Sequence, residues 1–206
     1  MKVSKKELRQ MYRKLRAELL PEQRNRESVE ACERVISMEV YQRTDAILTY
    51  LSYGSELQTQ TLINQALKDG KILAAPRING NEMVFFQIVP DTRYEKNSYG
   101  IPEPVSGVEI SPEMYEKSLL ILPGLCYDDR NGRIGYGGGF YDRYVSAHRK
   151  GSNMKILALA LSCQYYEGEI PMESHDISPD LVVYPKKCRQ SEKCGEIYES
   201  RTAENI

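Results

Sequence analysis

The sequence predicts a single-domain, three-layer α/β/α sandwich built on a mostly parallel sheet. Three features predict it. Short, largely apolar runs recur at 46–51, 119–122, 156–161 and 181–184, the pattern of strands buried on both faces rather than one. They alternate with stretches of helical periodicity, which puts helices on both sides of the sheet. The chain also runs to Pro185 with no linker or internal repeat and then turns polar. Residues 1–185 are therefore the expected domain, and 186–206 a polar C-terminal extension.

Taken in order, Ser4 with Glu7 three positions later forms a capping box. Leu8, Met11, Leu15 and Leu19 then recur at helical spacing, so 4–19 is a helix with these four inward. Its other faces carry Lys5, Lys6, Arg9, Arg13, Lys14 and Arg16, which pattern alone reads as a solvated basic surface. Pro21 opens a second helix, to about residue 38, with Val29, Cys32 and Ile36 inward. After the first strand, 59–68 is helical and is stopped by Asp69-Gly70. Residues 72–78 and 83–89 flank Asn79-Gly80-Asn81 and form an antiparallel hairpin. Residues 90–112 hold proline, glycine and few apolar pairs, and read as loop.

Composition narrows the function. Lys and Arg number 28 against 29 Asp and Glu, for a net charge of −1, so no global field calls for nucleic acid or an acidic membrane. No apolar run reaches membrane-spanning length, and the N-terminus is charged rather than signal-like. The five cysteines (Cys32, Cys126, Cys163, Cys188, Cys194) are scattered and form no Cys-x-x-Cys, which suits reduced thiols in a cytoplasm. With only two histidines, a structural zinc site is not expected. A cytoplasmic monomer is.

The chemistry concentrates at 131–144, Asn-Gly-Arg-Ile-Gly-Tyr-Gly-Gly-Gly-Phe-Tyr-Asp-Arg-Tyr. Glycines let backbone N–H groups close on a ligand and allow positive φ. After Gly139 the spacing of Phe140, Tyr141, Tyr144 and Val145 starts a helix whose N-terminus faces the loop, a natural phosphate site. No Gly-Lys-Ser or Gly-Lys-Thr is present, and Phe140 stands where a dinucleotide fingerprint needs glycine. Asp142 in the first turn can hold a cation beside the phosphate. So can Asp176 in the late turn 171–176, and Mg²⁺ accepts one or two carboxylates with phosphate oxygens and water. His148 reads as structural.

The run from Gly132 to Tyr144, preceded by Leu122-Pro123-Gly124 and Tyr127-Asp128, resembles the signature of the 5-formyltetrahydrofolate cyclo-ligase (methenyltetrahydrofolate synthetase) family. The likeness continues through Lys5-Lys6-Glu7-Leu8-Arg9, Glu56-Leu57-Gln58-Thr59, Pro76-Arg77 and Gly100-Ile101-Pro102-Glu103-Pro104. It implies a Rossmann-like sheet related to sugar-phosphate isomerases and CoA-transferases. It also implies ATP- and Mg²⁺-dependent closure of reduced formylfolate to 5,10-methenyltetrahydrofolate, with release of ADP and phosphate. By this resemblance Lys5, Lys6 and Arg9 reach the ATP phosphates. Arg133, Ile134, Gly135, Gly137, Gly138, Gly139 and Tyr141 surround the nucleotide, and Asp142 and Asp176 hold Mg²⁺. Tyr53, Glu56, Gln58, Pro102, Tyr136 and Phe140 line the folate pocket, with Arg133, Tyr136 and Asp142 catalytic. The family carries an acid where this chain has Gln58, which leaves a catalytically weakened folate or nucleotide binder as the alternative. A phosphosugar- or CoA-handling relative would leave Lys5 and Arg9 idle.

Overall fold

Ile47 and Leu48, neighbours in strand β1 (Ala46–Leu48), point to opposite faces of the sheet and divide the core between them. The computed structural model describes residues 3–185. Ile47 and its in-register partners Leu73 and Leu119 pack with Leu157 on one side, against Ala31, Val35, Leu62 and Ala66. Leu48, Ala74, Leu120 and Ile156 pack on the other, against Tyr144 and Val145. The first set of helical residues belongs to α2 (Pro21–Ser37) and α4 (Gln60–Lys68), the second to α5 (Phe140–His148). This is the expected three-layer arrangement.

The remaining strands are β2 (Ile72–Asn79), β3 (Glu82–Gln87), β4 (Tyr94–Lys96), β5 (Pro102–Pro104), β6 (Glu109–Ile110), β7 (Ser118–Ile121), β8 (Cys126–Tyr127), β9 (Arg133–Ile134), β10 (Met154–Leu159) and β11 (Leu181–Val183). The main sheet has seven strands in the order β11-β10-β7-β1-β2-β3-β6. Its first five are parallel, and β3 and β6 run antiparallel at one edge. The hairpin of β2 and β3 turns at Gly80, where φ is +60°. At the end of α4 the N–H groups of Lys71 and Gly70 bond the carbonyls of Ala66 and Leu67, with Gly70 at φ +70°. That is the Schellman closure which Asp69-Gly70 announces in the sequence.

Four differences from the sequence reading matter. The stretch 90–112 is not all loop: β4 and β5 form a separate two-stranded ribbon, and β6 edges the main sheet. Pro102 and Pro104 fit there because a two-stranded ribbon leaves positions that need no N–H. Between β7 and the glycine loop lies the small hairpin β8–β9. The Asp128 carboxylate organises its turn by accepting from the N–H groups of Arg130, Gly132 and Ile170 at 2.7–2.9 Å. A one-turn helix, α3 (Glu39–Gln42), follows α2. The fourth difference concerns α1 (Lys5–Glu18).

The capping box of Ser4 and Glu7 is present, but the buried face of α1 is Leu8, Tyr12 and Arg16. Met11 and Leu15 are 45% and 40% exposed. The physical reason is what α1 packs on. It docks on β8, β9 and the turn at Ser162–Gln164, where it meets backbone carbonyls as well as the apolar side chains of Leu125, Cys126 and Ile134. Tyr12 bonds the carbonyl of Tyr165 at 2.8 Å and Arg9 that of Gly135 at 3.0 Å. Leucines there would strand those carbonyls. Cys188, Cys194 and the extension 186–206 lie outside the described residues. Among the described residues no helix is long and apolar enough to cross a membrane.

Candidate active site

Loops that leave the carboxyl ends of β1, β2 and β7 surround a cleft of about 1590 Å³ beside the glycine run, the expected place for ligands on an open parallel sheet. Every residue singled out from the sequence lines it except Lys6 and Gln58. Lys6 is exposed, because one step along a helix turns its side chain about 100° away from the face shared by Lys5 and Arg9. The main chain of Gln58 is held to α2: its backbone N–H donates to Ser28 Oγ at 3.0 Å, and its backbone carbonyl accepts from Cys32 Sγ.

The glycine run has the backbone that its composition promised. Gly137 and Gly139 have φ of +102° and +66°, a region L side chains avoid. A methyl on Gly138 would fall 2.9 Å from the Phe140 ring. No side chain caps α5, so its first-turn N–H groups are available to an anion. Arginines grip the loop from outside. Arg9 takes the carbonyl of Gly135, and Arg13 approaches that of Tyr136 at 3.3 Å. Arg143 takes that of Gly138 and reaches Asn81 in the β2–β3 turn.

Two ion pairs stand beside the loop. Arg133, its side chain 5% exposed, binds Asp142 Oδ1 through Nη2 at 2.6 Å and spends Nε and Nη1 on the carbonyls of Ile177 and Pro123. The N–H of Ile177 also donates to Asp142 Oδ1, so Asp142 sits one residue from Asp176 across the cleft. Lys5 bridges Asp176 at 2.5 Å and Glu173 at 3.0 Å. Burial works against both charges, yet their mutual hydrogen bond holds Asp176 below and Lys5 above their ordinary values. Each aspartate thus commits one oxygen to hydrogen-bond donors of the protein, while Asp176 Oδ1 has only the exposed His175 Nε2 near it, at 3.9 Å. Among the described residues no three His, Cys, Asp or Glu side chains cluster as a metal cage. Two carboxylate oxygens completed by phosphate and water fit Mg²⁺ and not a protein-only site.

The cleft is also lined by Tyr53, Glu56 and Pro102, and by Tyr136 and Phe140 from the glycine run itself. Glu56 Oε2 accepts from the N–H of Tyr53 at 2.8 Å. Burial and the adjacent Glu56 carboxylate push the Tyr136 phenol well up, so it stays protonated. Burial does the same to Tyr141. His148 is structural as expected: it pairs with Glu113 and stacks on Tyr144. Arg13 and Arg16 are cleft residues that apolar periodicity overlooks. Their signal was a cationic one, since Lys5, Arg9, Arg13 and Arg16 repeat along a single helical face.

A glycine loop gripped by arginines at the carboxyl edge of a parallel sheet makes this an α/β protein with a cleft whose lining suits an anion. A family model for the 5-formyltetrahydrofolate cyclo-ligase family matches residues 1–185, and the chain belongs to that family of ligases. It is 30% identical over 190 residues to a probable 5-formyltetrahydrofolate cyclo-ligase of Caenorhabditis elegans, covering 87% of this chain and 92% of the relative. It is 29% identical over 180 residues to the 5-formyltetrahydrofolate cyclo-ligase of Escherichia coli K12, covering 86% and 98%. The 5,10-methenyltetrahydrofolate synthetase structure from Aquifex aeolicus superposes with a TM-score of 0.73 at 28% identity, over 87% of this chain and 88% of the other. The synthetase structure from Mycoplasma pneumoniae shares the fold, with a TM-score of 0.69 at 16% identity over 88% and 99%.

Proposed function

We propose that this protein closes 5-formyltetrahydrofolate to 5,10-methenyltetrahydrofolate, coupled to conversion of ATP to ADP and phosphate. The observation that carries the reading is the arrival of Arg9 and Arg13 on the glycine loop, and of Lys5 on Asp176, each from more than a hundred residues away, in one cleft with Asp142. A formamide oxygen leaves poorly, so the terminal phosphoryl of ATP is transferred to it. The neighbouring folate nitrogen then attacks the activated carbon, and phosphate departs with that oxygen. Such chemistry asks the protein for alignment and charge neutralisation, not for a triad. The glycine N–H groups and the first turn of α5 cradle the phosphates, while Lys5 and Arg9 offset their charge. Tyr53, Glu56, Pro102, Tyr136 and Phe140 hold the pterin.

Asp142 and Asp176 would hold Mg²⁺, which when bound neutralises phosphate oxygens. Arg133 orients Asp142, and Lys5 orients Asp176. Buried thiols at Cys32 and Cys126, each pushed up to about 12 by burial, suit a reducing cytoplasm.

The test measures phosphate release and the near-ultraviolet absorbance of the methenyl product, with and without formylfolate and Mg²⁺. Release should require all three components, and Asp142→Ala should abolish it. Equal release without folate, or full activity in Asp142→Ala, would refute the reading.

A further inference from the structure

Arg16 lines the cleft with 5% of its surface exposed, on the helix whose Arg9 and Arg13 reach the glycine loop. Its partners are all neutral. Nε donates to Ser55 Oγ at 3.1 Å, while Nη1 donates to the Tyr136 hydroxyl at 2.6 Å and, more weakly, to the carbonyl of Gly124 at 3.5 Å. The guanidinium carbon stands 5.4 Å from the centre of the Tyr136 ring. Among the described residues no carboxylate forms an ion pair with it. Burying a guanidinium without a counter-ion is costly, and a residue needed only for packing would be served as well by methionine or leucine.

What the arginine does is fix a direction. With its oxygen accepting from Arg16, the Tyr136 hydroxyl is left to donate, and the acceptor beside it is Glu56. Glu56 is itself tied to the N–H of Tyr53. Arg16 therefore ties α1 to the glycine loop through the Tyr136 hydroxyl, which has the Glu56 carboxylate beside it, and to the loop after β1 through Ser55, the neighbour of Glu56 in the chain.

We propose that Arg16 is a positioning residue which, through the Tyr136 hydroxyl, aligns Glu56 and Tyr53 for the formylfolate while touching neither ATP nor the reacting carbon. The proposal rests on the cyclo-ligase reading above. Arg16→Met should raise KM for formylfolate about 10- to 100-fold, the loss expected for one charge-assisted contact. KM for ATP should stay within about threefold, as for a residue outside the phosphate cradle. Tyr136→Phe should give the same asymmetric change, and adding Arg16→Met to it should make little further difference. Arg16→Lys, which can still donate to the phenol, should recover part of the loss. If Arg16→Met does not fold, Tyr136→Phe and Arg16→Lys still decide the matter.

A formylfolate KM unchanged in Arg16→Met overturns the proposal. So does an equal rise in both KM values, or full additivity with Tyr136→Phe. The unaltered protein is the control that separates the two claims. If it fails to convert formylfolate with Mg·ATP, the functional reading falls and this role falls with it. If its turnover is normal while Arg16→Met keeps the parental KM, only the role of Arg16 falls.

Discussion

Arg133→Met gives the sharpest test of how the site is held. The guanidinium donates to three acceptors at once: Asp142 Oδ1 at 2.6 Å, the Ile177 carbonyl at 3.0 Å and the Pro123 carbonyl at 3.1 Å. The side chains of Arg133 and Asp142 are 5% and 20% exposed. Removing one partner from a buried pair costs about 3–5 kcal/mol, because the remaining charge is left uncompensated. Asp142 keeps the Ile177 N–H and some contact with water, which places the cost near the lower end, about 3 kcal/mol. In a protein of this length each kcal/mol moves Tm by roughly 2–4 °C, so a fall of about 6–12 °C is expected by calorimetry. Arg133→Lys should recover only part of it, since one ammonium cannot span three acceptors. Mg·ATP-dependent turnover should be lost in Arg133→Met at temperatures where the variant is still folded. A Tm within about 2 °C of the parent would refute the reasoning, as it would mean Asp142 does not depend on Arg133.

Three further outcomes follow from the same geometry. The Asp176 carboxyl, held below its ordinary 3.8 by Lys5 although burial opposes this, contributes stability that is complete above that value and lost as pH falls through the lowered one. Raised Lys5 keeps its contribution throughout that range, so Tm curves for the parent and Lys5→Met should differ by a constant amount near neutrality and converge in acid; parallel curves down to acid unfolding would contradict the pairing. Gly139→Ala puts an L residue at φ +66°, costing about 1–2 kcal/mol. Calorimetric titration should show Mg·ATP-analogue affinity falling about tenfold while formylfolate binds nearly as before, and unchanged nucleotide affinity would remove the glycine loop from the phosphate site. Gln58→Glu should leave the formylfolate KM within about threefold, and a tenfold fall would return residue 58 to the pocket.

The layered fold was legible because buried parallel strands announce themselves as apolar runs, and Ile47 with Leu48 serves two cores at once. The caps were legible too: Ser4 with Glu7, and Asp69 with Gly70, are local chemistry that tertiary contacts did not override. What escaped notice was set by non-local partners. Tyr12 and Arg16 are buried because their polar tips meet carbonyls and hydroxyls of other segments, while Met11 and Leu15, the better apolar match, face outward. The ribbon of β4 and β5 escaped because its prolines argue against strands except where no ladder partner is required. Gln58 follows an acceptor in α2 that spacing from Glu56 cannot reveal.

The docking of α1 has a consequence for how the protein comes into being. Lys5 meets Asp176 across 171 positions, and Tyr12 meets Tyr165 across 153. On a ribosome the central strands have emerged and can pair long before those partners exist, leaving the first helix waiting with its cations unspent. Contacts of such separation form late. Competence therefore waits until residue 176 has been made, and a nascent chain stalled before residue 165 would carry most of the sheet but no assembled catalytic centre.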